Sequence, residues 1–169
     1  LTVRASGYIR EVIKGFEGYE PTPKPDPGRG ILTVGWGHTR TAELYRGKTI
    51  TRQTAETLFS SDVANAENYV NNFARTNKLF FTQPQFDALV SFVFNTGNIP
   101  ESIKKRLTDL QGRTVAQTMR LYNKAGTPNN LTPLPGLTKR RFVESNRFNK
   151  TKNLFWFSGI LLLLYVRNR

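Results

Sequence analysis

Apolar residues recur at helical spacing through most of this chain and at strand spacing only near its start. Ile9, Val12, Ile13 and Phe16 follow Ser6, a side chain suited to capping a helix, so residues 7–17 read as a short amphipathic helix ending at Glu17. Residues 21–30, PTPKPDPGRG, hold four prolines and two glycines. That segment cannot be helix and reads as a stiff turn region. From Ile31 to Trp36 the pattern changes to a strand. Alternation puts Leu32, Val34, Trp36 and His38 on one face, with Thr33, Gly35 and Gly37 on the other.

Beyond residue 50 the period is helical throughout. Ala55, Leu58, Phe59, Val63, Ala66, Tyr69, Val70 and Phe73 line one stripe of a long helix over residues 52–74, capped by Thr51. Thr82 and Gln85 form a capping-box pair that opens a second apolar helix, with Phe86, Leu89, Val90 and Val93 inward. Shorter helices are expected at 101–111 (stopped by Gly112), 114–123 and 137–150, with a loop at 123–136 rich in Pro, Asn and Gly. One strand-bearing stretch followed only by helices is an α+β fold with segregated elements rather than an alternating one.

Composition narrows the chemistry. The chain has 169 residues, no cysteine and one histidine, His38. Disulfides, thiolate chemistry and multi-histidine metal sites are thereby excluded, so carboxylates, hydroxyls and amides must carry any reaction. No cofactor and no metal is expected. Lys and Arg number 25 against 12 Asp and Glu, a net charge of +13. Such a field attracts a polyanion. No zinc finger, phosphate loop or RNA-binding signature accompanies it, so nucleic acid is not the expected partner.

Two constellations break the pattern. Asp62 falls inside the apolar stripe of the long helix, and His38 lies on the apolar face of the strand. A buried carboxylate is costly unless it is paired, so the two are expected to meet as a structural ion pair. The alternative is an Asp62 that reaches solvent at the edge of the stripe. The second constellation is Glu17, Asp26 and Thr33: a helix-end carboxylate, a turn carboxylate and a strand hydroxyl around a small sheet. Glycosidases need two carboxyl groups flanking the scissile bond. On spacing alone this is weak evidence, and a glutamate at a helix end is usually only solvated.

The runs IKGFEGYE at 13–20, LTVGWGHT at 32–39 and ITRQTAETLFSSDV at 50–63 closely resemble the phage lysozymes. So do QFDALVSFVFNTG at 85–97, YNKAG at 122–126 and PGLTKRRFVES at 135–145, in the same order. The resemblance implies a lysozyme-like fold: a small N-terminal lobe with a short antiparallel sheet, a long connecting helix and an all-helical C-terminal lobe. It implies hydrolysis of the β-1,4 bond between N-acetylmuramic acid and N-acetylglucosamine in peptidoglycan. Glu17 would be the acid, Asp26 would activate water or stabilise the transition state, and Thr33 would hold that water. The reaction would invert the anomeric centre. The family's structural His–Asp pair falls on His38 and Asp62, and an arginine that salt-bridges the glutamate falls on either Arg140 or Arg141. Sugar contacts fall on Thr39 and Phe94, although Phe94 reads equally as core.

Two stretches depart from the family pattern: the Asp26 turn, bracketed by Pro25 and Pro27, and NIPESIKKRL after residue 97. Residues 1–150 are expected to form one catalytic domain, with a sheet lobe at about 17–50 and a helical lobe at about 75–150 plus the first helix. Residues 151–169 are an apolar and basic extension without a counterpart. Its apolar run of 13 residues, 154–166, is shorter than the ~20 needed to span a bilayer. It is read as a docked or loosely packed end, with weak membrane contact as the alternative. A monomer is expected, made in the cytoplasm of an infected bacterium and acting on its wall. A lytic transglycosylase on the same scaffold, or a cationic membrane- or wall-disrupting protein, are the competing readings.

Overall fold

The computed structural model describes residues 2–25, 30–127 and 130–150. The apolar and basic extension from residue 151, like Asp26, lies outside the described residues. Helix α1 (Gly7–Glu17) is followed by an antiparallel pair, β1 (Glu20–Pro25) and β2 (Leu32–Gly35). A 3-10 turn (Ala42–Tyr45) leads to the long helix α2 (Arg52–Thr76). Then come α3 (Gln83–Thr96), α4 (Glu101–Thr108), α5 (Gly112–Arg120), a hairpin β3 (Lys124–Thr127) and β4 (Asn130–Pro133), and α6 (Pro135–Phe148). The architecture is α+β with segregated elements. A two-stranded sheet lies on one side, a helical lobe on the other, and α2 of 25 residues runs between them. No described helix is long and apolar enough to cross a membrane.

Caps fix the helix starts where the sequence puts them. Ser6 accepts the Ile9 N–H at 3.3 Å, and Thr51 accepts that of Thr54 at 3.1 Å. At α3 the Thr82 N–H donates to Gln85 Oε1 at 3.0 Å, the return half of a capping box. Helix α3 is the hub of the helical lobe. Residues 85–93 are all buried, as a helix surrounded on every side requires. It packs on α2, α6 and α1.

Three segments differ from expectation. Residues 20–25 form a strand although three of them are proline. A proline has no N–H for a ladder, and β1 tolerates it because a two-stranded sheet has only edges. The Pro21 carbonyl turns to the Ile50 N–H instead, at 2.9 Å. In the helical lobe, the expected loop at 123–136 carries the β3–β4 hairpin. All of β4 is exposed, so no burial pattern marks it in the sequence. Helix α4 stops at Thr108, and Gly112 opens α5 rather than ending α4. Leu110 adopts the left-handed conformation between them (φ 57°) and breaks the run earlier than its glycine suggests.

The N-terminal segment is pinned by buried carboxylates. Glu67 on α2 accepts from the Ala5 N–H at 2.8 Å and from Arg4 at 2.7 Å. Asp87 on α3, with no exposed surface, accepts from the Ser6 N–H, the Ser6 hydroxyl, Gln83 and Arg147 at 2.6–2.9 Å. Four donors converge on one carboxylate, and together they hold the start of α1 to α3 and α6. Replacing Asp87 with Ala strands those donors and is expected to cost about 3–5 kcal/mol. At roughly 2–4 °C per kcal/mol for a domain of this size, thermal unfolding should shift down by on the order of 10 °C. Asp87→Asn, which keeps one oxygen acceptor, should lose less. Unchanged melting of Asp87→Ala would show that the carboxylate is not what holds α1.

Candidate active site

Glu17 is the last residue of α1, and Gly18 stops the helix there in a positive-φ conformation (φ 71°). Its side chain is 20% exposed, and Oε1 accepts from Arg140 Nη1 at 2.5 Å. Oε2 faces Gly37: a Cβ placed on that glycine would lie 2.8 Å from it. Only a residue without a side chain, able to adopt φ 79°, lets the turn after β2 close over the carboxylate.

Arg140, rather than Arg141, meets Glu17. Arg140 is buried and is shared between two carboxylates, since its Nε also donates to Glu144 at 3.2 Å and its Nη2 to the Ser91 carbonyl at 3.1 Å. Glu144 in turn accepts from the Ser91 hydroxyl at 2.7 Å and from Arg141 Nη1. Arg141 reaches the Tyr122 carbonyl, Asn95 and the face of Phe92. The result is an alternating chain, Glu17–Arg140–Glu144–Arg141, net neutral and largely buried. Burial pushes the Glu144 carboxyl above its ordinary range, while Arg141 and Arg140 beside it pull it back. Burial likewise pulls the Arg141 guanidinium down, opposed by Glu144.

His38 and Asp62 also meet. The imidazole is buried, with Nδ1 at 2.7 Å from Asp62 Oδ2 and Nε2 at 2.8 Å from the Thr41 hydroxyl. The Thr41 N–H donates to Nε2 at 3.1 Å, so Nδ1 carries the proton and donates to Asp62. Val34 and His38 exchange backbone hydrogen bonds at 2.9 Å, closing the turn that carries Gly37. Sheet and long helix are thus tied at the point where the chain passes Glu17.

Next to that tie lies a groove of about 320 Å³. It is lined by Gly37, Thr39 and Arg40 from the turn after β2, by Asp62, Asn65 and Tyr69 of α2, and by Phe94 of α3 with Gly97 just after it. Thr39 is exposed in it. Phe94 serves two purposes: its ring packs 5.8 Å from that of Phe59, and it lines the groove. Trp36, by contrast, is buried between Tyr19 and Phe59 and does not line the groove. The Thr33 hydroxyl donates to the Lys24 carbonyl at 3.2 Å. No group of three or more metal-ligating side chains occurs among the described residues.

Sequence reasoning missed Glu144, Ser91, Asn95 and Arg40. Glu144 could have been found, because it stands three and four residues after the two arginines, the spacing of helical ion pairs. Asn95 and Ser91 carry no such signal.

Comparison with known proteins places the chain in a family. The family described as phage lysozyme matches residues 14–144. The chain is 36% identical over 124 residues to an endolysin of Acyrthosiphon pisum secondary endosymbiont phage 1, covering 70% of this chain and 80% of that protein. It is 32% identical over 145 residues to an endolysin of Lactococcus phage c2, where 82% of this chain matches but only 57% of that protein. The chain therefore spans little more than half the length of that longer relative. Among solved structures, the muramidase domain of SpmX from Asticaccaulis excentricus superposes with a TM-score of 0.76 at 31% identity, covering 88% of this chain and 99% of that one.

The contact at Gly37 is testable. Gly37→Ala forces a side chain to positive φ, at about 1–3 kcal/mol, and pushes the Glu17 carboxylate aside. Wall-lytic rate should fall by about 10- to 100-fold, the scale of an ångström's misplacement. Gly47→Ala has a similar φ (72°) and nothing within 4 Å, so it should show the stability loss without the rate loss. Equal rates in the two variants would remove Gly37 from the site.

Proposed function

The chain belongs to the phage lysozyme family and is a lysozyme-type glycosidase; from that premise we propose that it hydrolyses the β-1,4 bond between N-acetylmuramic acid and N-acetylglucosamine in peptidoglycan, with Glu17 as the general acid. The observation that carries the assignment is the asymmetry of the Glu17 carboxylate. Oε1 is held by Arg140, while Oε2 faces Gly37 at the margin of the groove. Oε2 is then the atom that carries the proton to the leaving oxygen, and Arg140 fixes the plane of the carboxyl group. Glu144 takes part of the Arg140 charge, so Glu17 does not face an undivided cation.

Thr33 has donated its single proton to the Lys24 carbonyl and keeps two acceptor lone pairs. It is suited to accept a hydrogen from the attacking water, and Asp26 would take the other as base. Inversion requires a separation of about 6.5–9.5 Å between the two carboxyls, to leave room for that water. Thr39 and Phe94, which both line the groove, contact sugar rings. Residues 1–150 form the catalytic unit, which reaches the host wall after synthesis in the cytoplasm and works as a monomer.

Glu17→Gln should lower the release of reducing ends from purified peptidoglycan by about 10²- to 10⁴-fold, the range for a lost general acid, with little change in thermal unfolding. Retained clearing by the variant would point to a non-enzymatic, cationic action. Anhydro-sugar ends from the wild type would point to a transglycosylase.

A further inference from the structure

Granted that the groove holds a peptidoglycan strand, we propose that Arg40 forms an anion subsite for a carboxylate on the peptides attached to the glycan. Each of the other arginines whose side chains are described has a partner. Arg4, Arg46, Arg140, Arg141 and Arg147 pair with carboxylates. Arg10, Arg75, Arg106 and Arg120 bond to neutral oxygens, and Arg52 lies over the Tyr19 and Trp36 rings. Arg40 alone makes no hydrogen bond, ion pair or ring contact among the described residues, and it lines the groove. Asp62 lines the same groove, yet its carboxylate is engaged by His38 and forms no ion pair with Arg40.

The backbone that presents this guanidinium is clamped on both sides. His38 is tied to Asp62 and Thr41, and the Ala42 N–H donates to the Thr39 carbonyl at 3.2 Å. With the turn already fixed, only the Arg40 side chain has to be ordered when an anion arrives, and no backbone does. Where a peptide is attached, the lactyl carboxyl of N-acetylmuramic acid is tied up as an amide, so the sugars of a substituted strand offer no charge to a guanidinium. Carboxylates occur on the attached peptides, and the planar fork of an arginine suits them geometrically. Arg40 thereby favours a strand whose peptides carry free carboxylates over one whose carboxylates are blocked.

The test is a cycle between protein and substrate. Peptidoglycan is digested in its native form and after carbodiimide amidation of its carboxylates, and reducing ends are counted for wild type, Arg40→Gln, Arg40→Lys and Lys48→Gln. Lys48 is an exposed cation outside the groove and reports the effect of bulk charge. Amidation should slow the wild type by about tenfold and Arg40→Gln by no more than about twofold, since a rim charge acts only while its partner is charged. On native substrate Arg40→Gln should raise KM with kcat kept, and Arg40→Lys should recover part of the loss. Lys48→Gln should respond to amidation as the wild type does. Equal sensitivity of Arg40→Gln and wild type to amidation, or the Arg40→Gln pattern appearing in Lys48→Gln, would overturn the subsite. Absence of reducing ends from either substrate with the wild type would instead overturn the glycosidase reading, and the subsite with it.

Discussion

A buried guanidinium shared by two carboxylates governs the cleft. Arg140 is almost without solvent contact, and taking such a charge out of water costs several kcal/mol unless partners replace the lost hydration. Glu144, Ser91 and Glu17 supply them. Glu144 is more deeply buried still, and it is tolerable only because Arg141 and the Ser91 hydroxyl complete its shell. Each member of the chain is therefore a condition for the next. Its open end is Glu17, the one member with appreciable exposure, so the network ends at the groove.

Glu17 is fixed through its helix as well as its side chain. Helix α1 is held at its start by Asp87, through Ser6, and at its end by Arg140, through Glu17. Both anchors lie on the helical lobe, one on α3 and one on α6. The sheet lobe is tied separately by His38 to Asp62 on α2. The carboxylate and the turn that covers it thus belong to differently anchored parts, and Gly37 is where they touch. Close approach without a side chain keeps that contact from becoming a clash, whatever small adjustment either part makes.

The helical framework was legible because burial and helical period coincide. Ser6, Thr51 and Thr82 mark starts, and the stripes of α2 and α3 face the core as their spacing predicts. What escaped was structure that buries little. Strand β4 is exposed along its whole length, so its alternation has no hydrophobic face to reveal it. Strand β1 is written in prolines, which signal turns everywhere except at a sheet edge. The meeting of His38 and Asp62 was legible for the opposite reason: polar residues on apolar faces must find partners. Choosing Arg140 over Arg141 was not possible from spacing, since adjacent residues on a helix point about 100° apart and both here turn inward.

Residues that no motif singles out obey the same constraint. Glu67, Asp87, Ser91 and Glu144 all interrupt apolar stripes, and each proves to be a tie between elements distant in sequence. Asp62 does the same for the sheet. A helix of purely apolar residues at these positions would bury more surface and could slide or rotate against its neighbours with little penalty. A buried carboxylate has one acceptable geometry, in which every donor is met, and a misplacement leaves charge unpaired in a medium of low polarity. Packing energy holds this molecule together, but orientation is set by these few polar contacts. The reaction depends on orientation, which is why the buried charges concentrate on the helices that carry or brace Glu17. Arg40 follows the complementary rule: a charge left unpaired at the surface of a clamped turn costs little in water and stays available to an anionic partner.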